Sequence, residues 1–186
     1  MNLKQPTFKT TMQDIGKMNP DLVYFGGTSQ SGAPQVVKEM VGVGLAGKCK
    51  LMVPDGCFED AFVTGAGVEN FGKLDCYVTF GGMPSNQLTG KGKDFYEKYK
   101  QKFGNEPEAY AVYGYEAAKV ALLAIEKAGK KDRAAILKAA LEIRNFEGAT
   151  GTWSFDENGD TTLTTMSGSK IDGKGIPQFV KPLQKK

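Results

Sequence analysis

Asp21-Leu22-Val23-Tyr24-Phe25-Gly26-Gly27-Thr28-Ser29-Gln30-Ser31 decides the fold. The apolar run Leu22 to Phe25 breaks at paired glycines into a polar loop, which reads as a strand ending in a turn. Beyond it, Val36, Val37, Met40 and Val41 recur at the spacing of one helix face, and that helix stops in the glycine-rich Gly42 to Gly47 segment. A second apolar run, Leu51-Met52-Val53, ends in Pro54-Asp55-Gly56. Strand, helix, strand at this length is a βαβ unit, whose right-handed crossover builds a parallel sheet. Both strands then end on one edge. Ligands of open α/β sheets collect outside the carboxyl ends of the strands, so Thr28, Ser29 and Asp55 are placed on a common polar rim.

Working outward from this unit, Phe8, Met12 and Ile15 give an amphipathic helix before it, stopped at Asn19-Pro20. The mixed pattern Phe58 to Asn70 reads as a short helix, and Cys76-Tyr77-Val78-Thr79-Phe80 as a third strand. A helical block follows Gly81-Gly82-Met83-Pro84. Its first helix gathers Phe95, Tyr96, Tyr99 and Phe103 on one face; the second carries the stripe Tyr113, Ala117, Val120, Ala121, Ala124, Ile125 and Ala128, closed by Gly129. Asp132 caps a third helix, with Ile136, Leu137, Ala140 and Leu141 as its expected buried face. The chain then returns to alternation around two tight turns, Asn158-Gly159 and Asp172-Gly173, both hairpin signals. A βαβ start, consecutive helices without strands and a β tail read as pieces of two lobes rather than one doubly wound domain.

Composition narrows the function more than any motif. The 186 residues are 40% hydrophobic and 24% charged, with a net charge of +3, as in an ordinary globular protein. Lysines are interspersed with acids except at Lys185-Lys186, so no basic stripe tracks a nucleic acid. No apolar run approaches the roughly twenty residues of a membrane span, and Met1-Asn2-Leu3-Lys4 lacks a signal-peptide core. The chain contains no histidine. Nucleophile activation by histidine, His-based zinc sites and imidazole acid–base work are therefore excluded within it. Cys49, Cys57 and Cys76 form neither a disulfide framework nor a zinc spacing, and their odd number leaves the compartment open.

Other motifs fall to simpler readings. Asp156, Asn158 and Asp160 imitate the start of a calcium loop, but Thr161 occupies the glycine position and no glutamate closes it, so a turn is expected and no metal. Gly65-Ala66-Gly67 lacks the third glycine of a dinucleotide fingerprint, and no phosphate loop occurs; no cofactor is expected. Tyr110, Tyr113 and Tyr115 are read as helix packing. The Gly26 to Ser31 segment reads equally as a capped strand-to-helix turn or as a polar-ligand site of hydroxyls and backbone N–H groups.

Five segments in order resemble the branched-chain amino acid binding proteins of ABC importers. They are Pro20 to Gly27, the helix end Val43-Gly44-Leu45, Pro54-Asp55-Gly56, Tyr110 to Ala118, and Phe155 to Asp160. The resemblance implies a type I periplasmic binding protein fold, α/β with two Rossmann-like lobes that trap a small ligand between them. It implies only the C-terminal half of such a receptor: residues 1–82 and 163–186 as the C-terminal lobe with its parallel sheet, and 83–162 as a helical segment of the N-terminal lobe. It implies a periplasmic location, transporter membrane subunits as partners, and no catalytic residues. By the same resemblance Thr28, with Ser29, and Asp55 contact the ligand, Asp55 meeting an α-ammonium group. Leucine-type receptors often carry an aromatic where this chain has Thr28, which leaves a smaller or more polar ligand, or an aromatic carboxylic acid, open. A ligand-sensing regulatory domain of the same fold is the alternative function. Helices whose apolar stripes lack a sheet to cover lead to the expectation of self-association or of a need for the other half.

Overall fold

In the computed structural model, which describes residues 7–183, the chain divides into two compact units. One runs up to Gly81 and resumes at Met166; the other is Gly82–Thr165. Met1 to Lys4 and Lys185-Lys186, read above for targeting and charge, lie outside the described residues.

The first unit is a five-stranded sheet. Its strands are β1 (Leu22–Tyr24), β2 (Lys50–Val53), β3 (Cys76–Phe80), β6 (Met166–Ile171) and β7 (Pro177–Leu183), which neighbour one another in that order. The first three are parallel, with Val23 beside Leu51 and Leu51 beside Cys76. The connections between parallel strands run through α2 (Ala33–Gly42) and through α3 (Asp60–Ala66) with α4 (Val68–Phe71). The expected single helix is thus two, because Gly67 sits at φ 83° and breaks it. β6 lies antiparallel to β3, with Val78 opposite Ser169, and β7 antiparallel to β6 across the Asp172-Gly173 turn.

Period-two burial selects the core. Val23, Leu51, Val53, Cys76, Val78 and Ile171 pack with Val36, Val37 and Met40 of α2 and Phe62 of α3. Phe8 and Met12, from α1 (Lys9–Lys17) and the residue that precedes it, join the same core. Along β1 the intervening side chains face outward, Tyr24 being 59% exposed. α2 ends in a Schellman pattern: Gly44, at φ 78°, lets Leu45 N–H reach the Met40 carbonyl at 2.9 Å, and Leu45 itself turns into the core.

The second unit holds α5 (Lys91–Phe103), α6 (Ala111–Ala128) and α7 (Arg133–Leu141), then a two-stranded ribbon of β4 (Phe146–Glu147) and β5 (Thr152–Trp153). The ribbon takes in Trp153, where the sequence pattern has already changed from helical to alternating. The core of this unit is Val120, Ile143 and Trp153, with Leu123, Phe146, Phe155 and Leu163 packed around them. The stripe read on α6 divides between a covered and an open side of that helix. α6 buries Val112, Glu116, Val120 and Ala124, while Ala117, Ala121 and Ile125 of the anticipated stripe are exposed. In α7 Ala139 is buried, and Leu137 and Leu141 are exposed. A carboxylate orients α6. Glu116, only 4% exposed, accepts hydrogen bonds from Trp153 Nε1 at 2.8 Å, from the Ala149 N–H and from the Thr150 hydroxyl, and so fixes which side of α6 faces the ribbon.

Candidate functional site

The carboxyl ends of β1 and β2 lie side by side, and the two loops leaving them are joined. After β1 the backbone turns through a single 3-10 turn, Ser29–Ser31, with Thr28 extended at its N-terminus. Thr28 and Ser31 cap each other: Thr28 N–H donates to Ser31 Oγ at 2.7 Å, and Ser31 N–H donates to Thr28 Oγ1 at 3.3 Å. The Thr28 oxygen is thereby used as an acceptor. Gly32 follows in the left-handed region, against the Phe8 ring, and opens α2.

After β2, Pro54 leads into a second 3-10 turn, Asp55–Cys57. Ser29 Oγ donates to the Gly56 carbonyl at 3.2 Å, Gln30 Nε2 to Glu59 Oε1 at 3.1 Å, and the Cys57 thiol to the Gly27 carbonyl at 3.8 Å. Burial first, and the Glu59 carboxylate second, push the Cys57 thiol up to about 12, so it stays protonated and keeps donating. Gly56 is required by close approach: a Cβ there would stand 2.8 Å from Thr28 Cγ2. The structure thus brings together all three rim residues read from the sequence. Thr28 and Asp55 are exposed and Ser29 half-buried.

Sequence reasoning missed the neighbours that shape this rim. Gln30 and Glu59 tie it, and Phe58 stacks on Phe80, at the end of β3, with ring centroids 5.1 Å apart. A glutamate four residues beyond Asp55 and a glutamine two beyond Thr28 were visible, but only the strand register shows that they face each other. Chemically the rim offers the hydroxyls of Thr28 and Ser29 and a carboxylate.

The decoy loop behaves as a turn. Asp156 Oδ1 accepts the backbone N–H groups of Asn158 at 2.8 Å and Asp160 at 2.9 Å, and the Asp160 N–H foremost holds its carboxyl below the usual range. Among the described residues no group of three His, Cys, Asp or Glu side chains is placed to hold a metal, and no helix is long and apolar enough to cross a membrane. Cys49, Cys57 and Cys76 are free thiols, all buried.

Residues 1–175 match the model of a family described as periplasmic binding protein. A Leu/Ile/Val-binding protein homolog 1 of Brucella suis biovar 1 is 29% identical over 163 residues, which take in 88% of this chain and 42% of that relative. The crystal structure of a leucine binding protein, LivK, of Thermotoga maritima superposes with a TM-score of 0.84 at 26% identity, over 97% of this chain and 49% of that one. A solute binding protein of an ABC transporter from R. palustris, solved in complex with benzoate, shares the fold with a TM-score of 0.74 at 17% identity, over 98% of this chain and 48% of its own. The chain therefore spans less than half the length of each of these relatives.

Proposed function

This chain belongs to the periplasmic binding protein family, with the type I fold represented in part, and on that premise we propose that it is the ligand-sensing half of an extracytoplasmic solute receptor serving an ABC importer. The residues from Met1 to about Gly82 and from about Leu163 onward are assigned to the C-terminal lobe, and the helices between them to the N-terminal lobe. The ligand is an amino acid of the branched-chain class.

The observation that carries this reading is the junction at the strand ends, where Ser29 Oγ holds the Gly56 carbonyl at 3.2 Å and keeps Thr28 and Asp55 on one rim. An amino acid presents a carboxylate, which needs donors, and an ammonium group, which needs acceptors. The proton of Thr28 serves the first and the carboxylate of Asp55 the second, as a charge-assisted hydrogen bond. Ser29 adds lone pairs beside the ammonium. Partners are transporter membrane subunits on the periplasmic side, and the binding step involves no chemistry on the ligand.

Two-dimensional NMR of the 186-residue chain, titrated with leucine, valine and benzoate, tests the reading. One wall of a cleft binds weakly, so millimolar concentrations are appropriate. Leucine and valine are expected to shift the amides of Thr28, Ser29 and Asp55 to Cys57, and Asp55→Ala to abolish those shifts. Shifts from benzoate alone, unaffected by Asp55→Ala, would move the ligand class to aromatic carboxylates. Shifts from none of the three would remove the assignment of this rim.

A further inference from the structure

The rim continues past Asp55. β2 and β3 run parallel with Val53 beside Val78, so Phe80, which ends β3 two residues later, stands level with the turn that carries Asp55. Across the carboxyl edge of the sheet the strand ends therefore lead from Thr28 to Asp55 to Phe80. Phe80 is only 1% exposed, and the Phe58 ring is stacked on it with the two planes 29° apart. Phe58 is placed there through Asp55 itself. Its N–H donates to the Asp55 carbonyl at 2.8 Å and closes the 3-10 turn, so that carboxylate and ring are carried on one loop.

The polar groups of the rim leave the choice among amino acids unexplained. Thr28 and Asp55 meet carboxylate and ammonium groups, which every α-amino acid has, so they cannot favour a branched side chain. That preference needs an apolar wall beside the ammonium site. Of the residues that follow Asp55, Gly56 has no side chain, Cys57 is turned into the core with 1% of its surface exposed, and Glu59 is tied to Gln30 at 3.1 Å. Phe58 remains. It is half-buried: part of its surface is taken up by Phe80, and part stays open beside Asp55. The stack fixes the ring, so a ligand carbon that settles on it meets a preformed surface. Thr28 lies on the β1 side of Asp55 and Phe58 on the β3 side, which sets carboxylate, ammonium and side chain in that order along the edge.

We propose that Phe58 is the specificity-determining residue of this rim, its ring receiving the aliphatic side chain of an amino acid whose ammonium group Asp55 holds. The inference rests on the amino-acid reading of the rim and adds a rank order to it. Glycine lacks a carbon that reaches the ring, and alanine, valine and leucine present progressively more. Affinity should rise along that series by on the order of twofold per carbon, less than the roughly fourfold of a fully buried methylene, because one ring covers one side only.

NMR titration of the whole chain with glycine, alanine, valine and leucine, followed at the amides of Ser29 and Asp55, tests this in the parent and in Phe58→Ala. The parent is expected to prefer leucine to glycine by on the order of tenfold, and Phe58→Ala to bind all of them as weakly as the parent binds glycine. Intermolecular NOEs from the leucine methyls to the Phe58 ring are expected in the parent, a readout that needs no variant. Circular dichroism verifies the fold of Phe58→Ala, and if that variant does not fold the NOEs alone decide. A gradient that survives Phe58→Ala, or leucine shifts at the rim without those NOEs, overturns the inference and leaves the reading of Asp55 standing. Equal weakening of every ligand, glycine included, also overturns it, since Phe58 would then only hold the loop. Amide shifts from none of the ligands remove the reading and the inference together.

Discussion

At the scale of single residues, Glu116 and Asp55 are carboxylates in opposite settings, one buried and one exposed. Glu116 is sealed in the second unit and satisfied by Trp153, Ala149 and Thr150. Truncating it to alanine strands those donors. Glu116→Ala is expected to cost about 3 to 5 kcal/mol, and Glu116→Gln, which keeps one acceptor oxygen, about 1 to 3 kcal/mol. Urea unfolding followed by the emission of Trp153, the chain's one tryptophan, measures both, and midpoints equal to the parent's would contradict this role. Asp55 is exposed at the strand-end rim. Under the amino-acid reading, Asp55→Ala should weaken leucine binding by about 2 to 5 kcal/mol and Thr28→Ala by about 0.5 to 1.5 kcal/mol, an order that calorimetry or the NMR titration checks. Thr28, Ser29 and Asp55 were legible in the sequence because each follows a strand end, where position alone brings residues together. Glu116 was not, since its type argues for a surface. The signal that was available is its spacing, four residues from both Val112 and Val120.

At the scale of elements, the clearest local signals held. Asp132, read as a cap, accepts the Ala135 N–H at 2.8 Å, and Asp132→Ala should lower stability by about 1 kcal/mol with a loss of helical circular dichroism. Cys76–Phe80 forms the strand expected of its β-branched and aromatic run, and the Asp172-Gly173 turn joins β6 to β7. Of the face read as buried on α7, Leu137 and Leu141 are exposed, and the apolar stripe of α6 is only partly covered. Periodicity locates a face only when the other sides are polar, and α6 has apolar residues on nearly all of them. Tertiary contact with the ribbon chose among these sides through Glu116. β4, two residues long, carries no pattern that sequence reasoning could have separated from a loop.

At the scale of the molecule, each unit has its own core, and its natural reporters are segregated. All three thiols belong to the sheet-bearing unit, and Trp153 belongs to the other. Urea transitions followed by thiol reactivity and by tryptophan emission are therefore expected at different midpoints; coincident curves would mean that the units unfold as one. The thiols also set a pH dependence. Burial pushes Cys57 and Cys76 from an ordinary value of 9.0 up to about 12. Between those values the unfolded chain has released protons that the native sheet retains. Stability of the sheet-bearing unit should thus be unaffected by these groups below about pH 8.5 and fall as pH rises toward 12. Urea midpoints of that unit at pH 8 and pH 10.5 check the sign.

The path of the chain through the sheet has an evolutionary consequence. β3 and β6 are immediate neighbours, and Phe80 faces Ser167 in register, so residues 82–165 leave from and return to adjacent points of one ladder. Two strands that meet antiparallel at such a point need only a tight turn to join them. The second unit thus occupies the place of a hairpin loop, and because closure entropy grows only slowly with loop length, a loop can be exchanged for a whole module at small thermodynamic cost. A gene could gain or lose that module in a single event without disturbing the ladder around it.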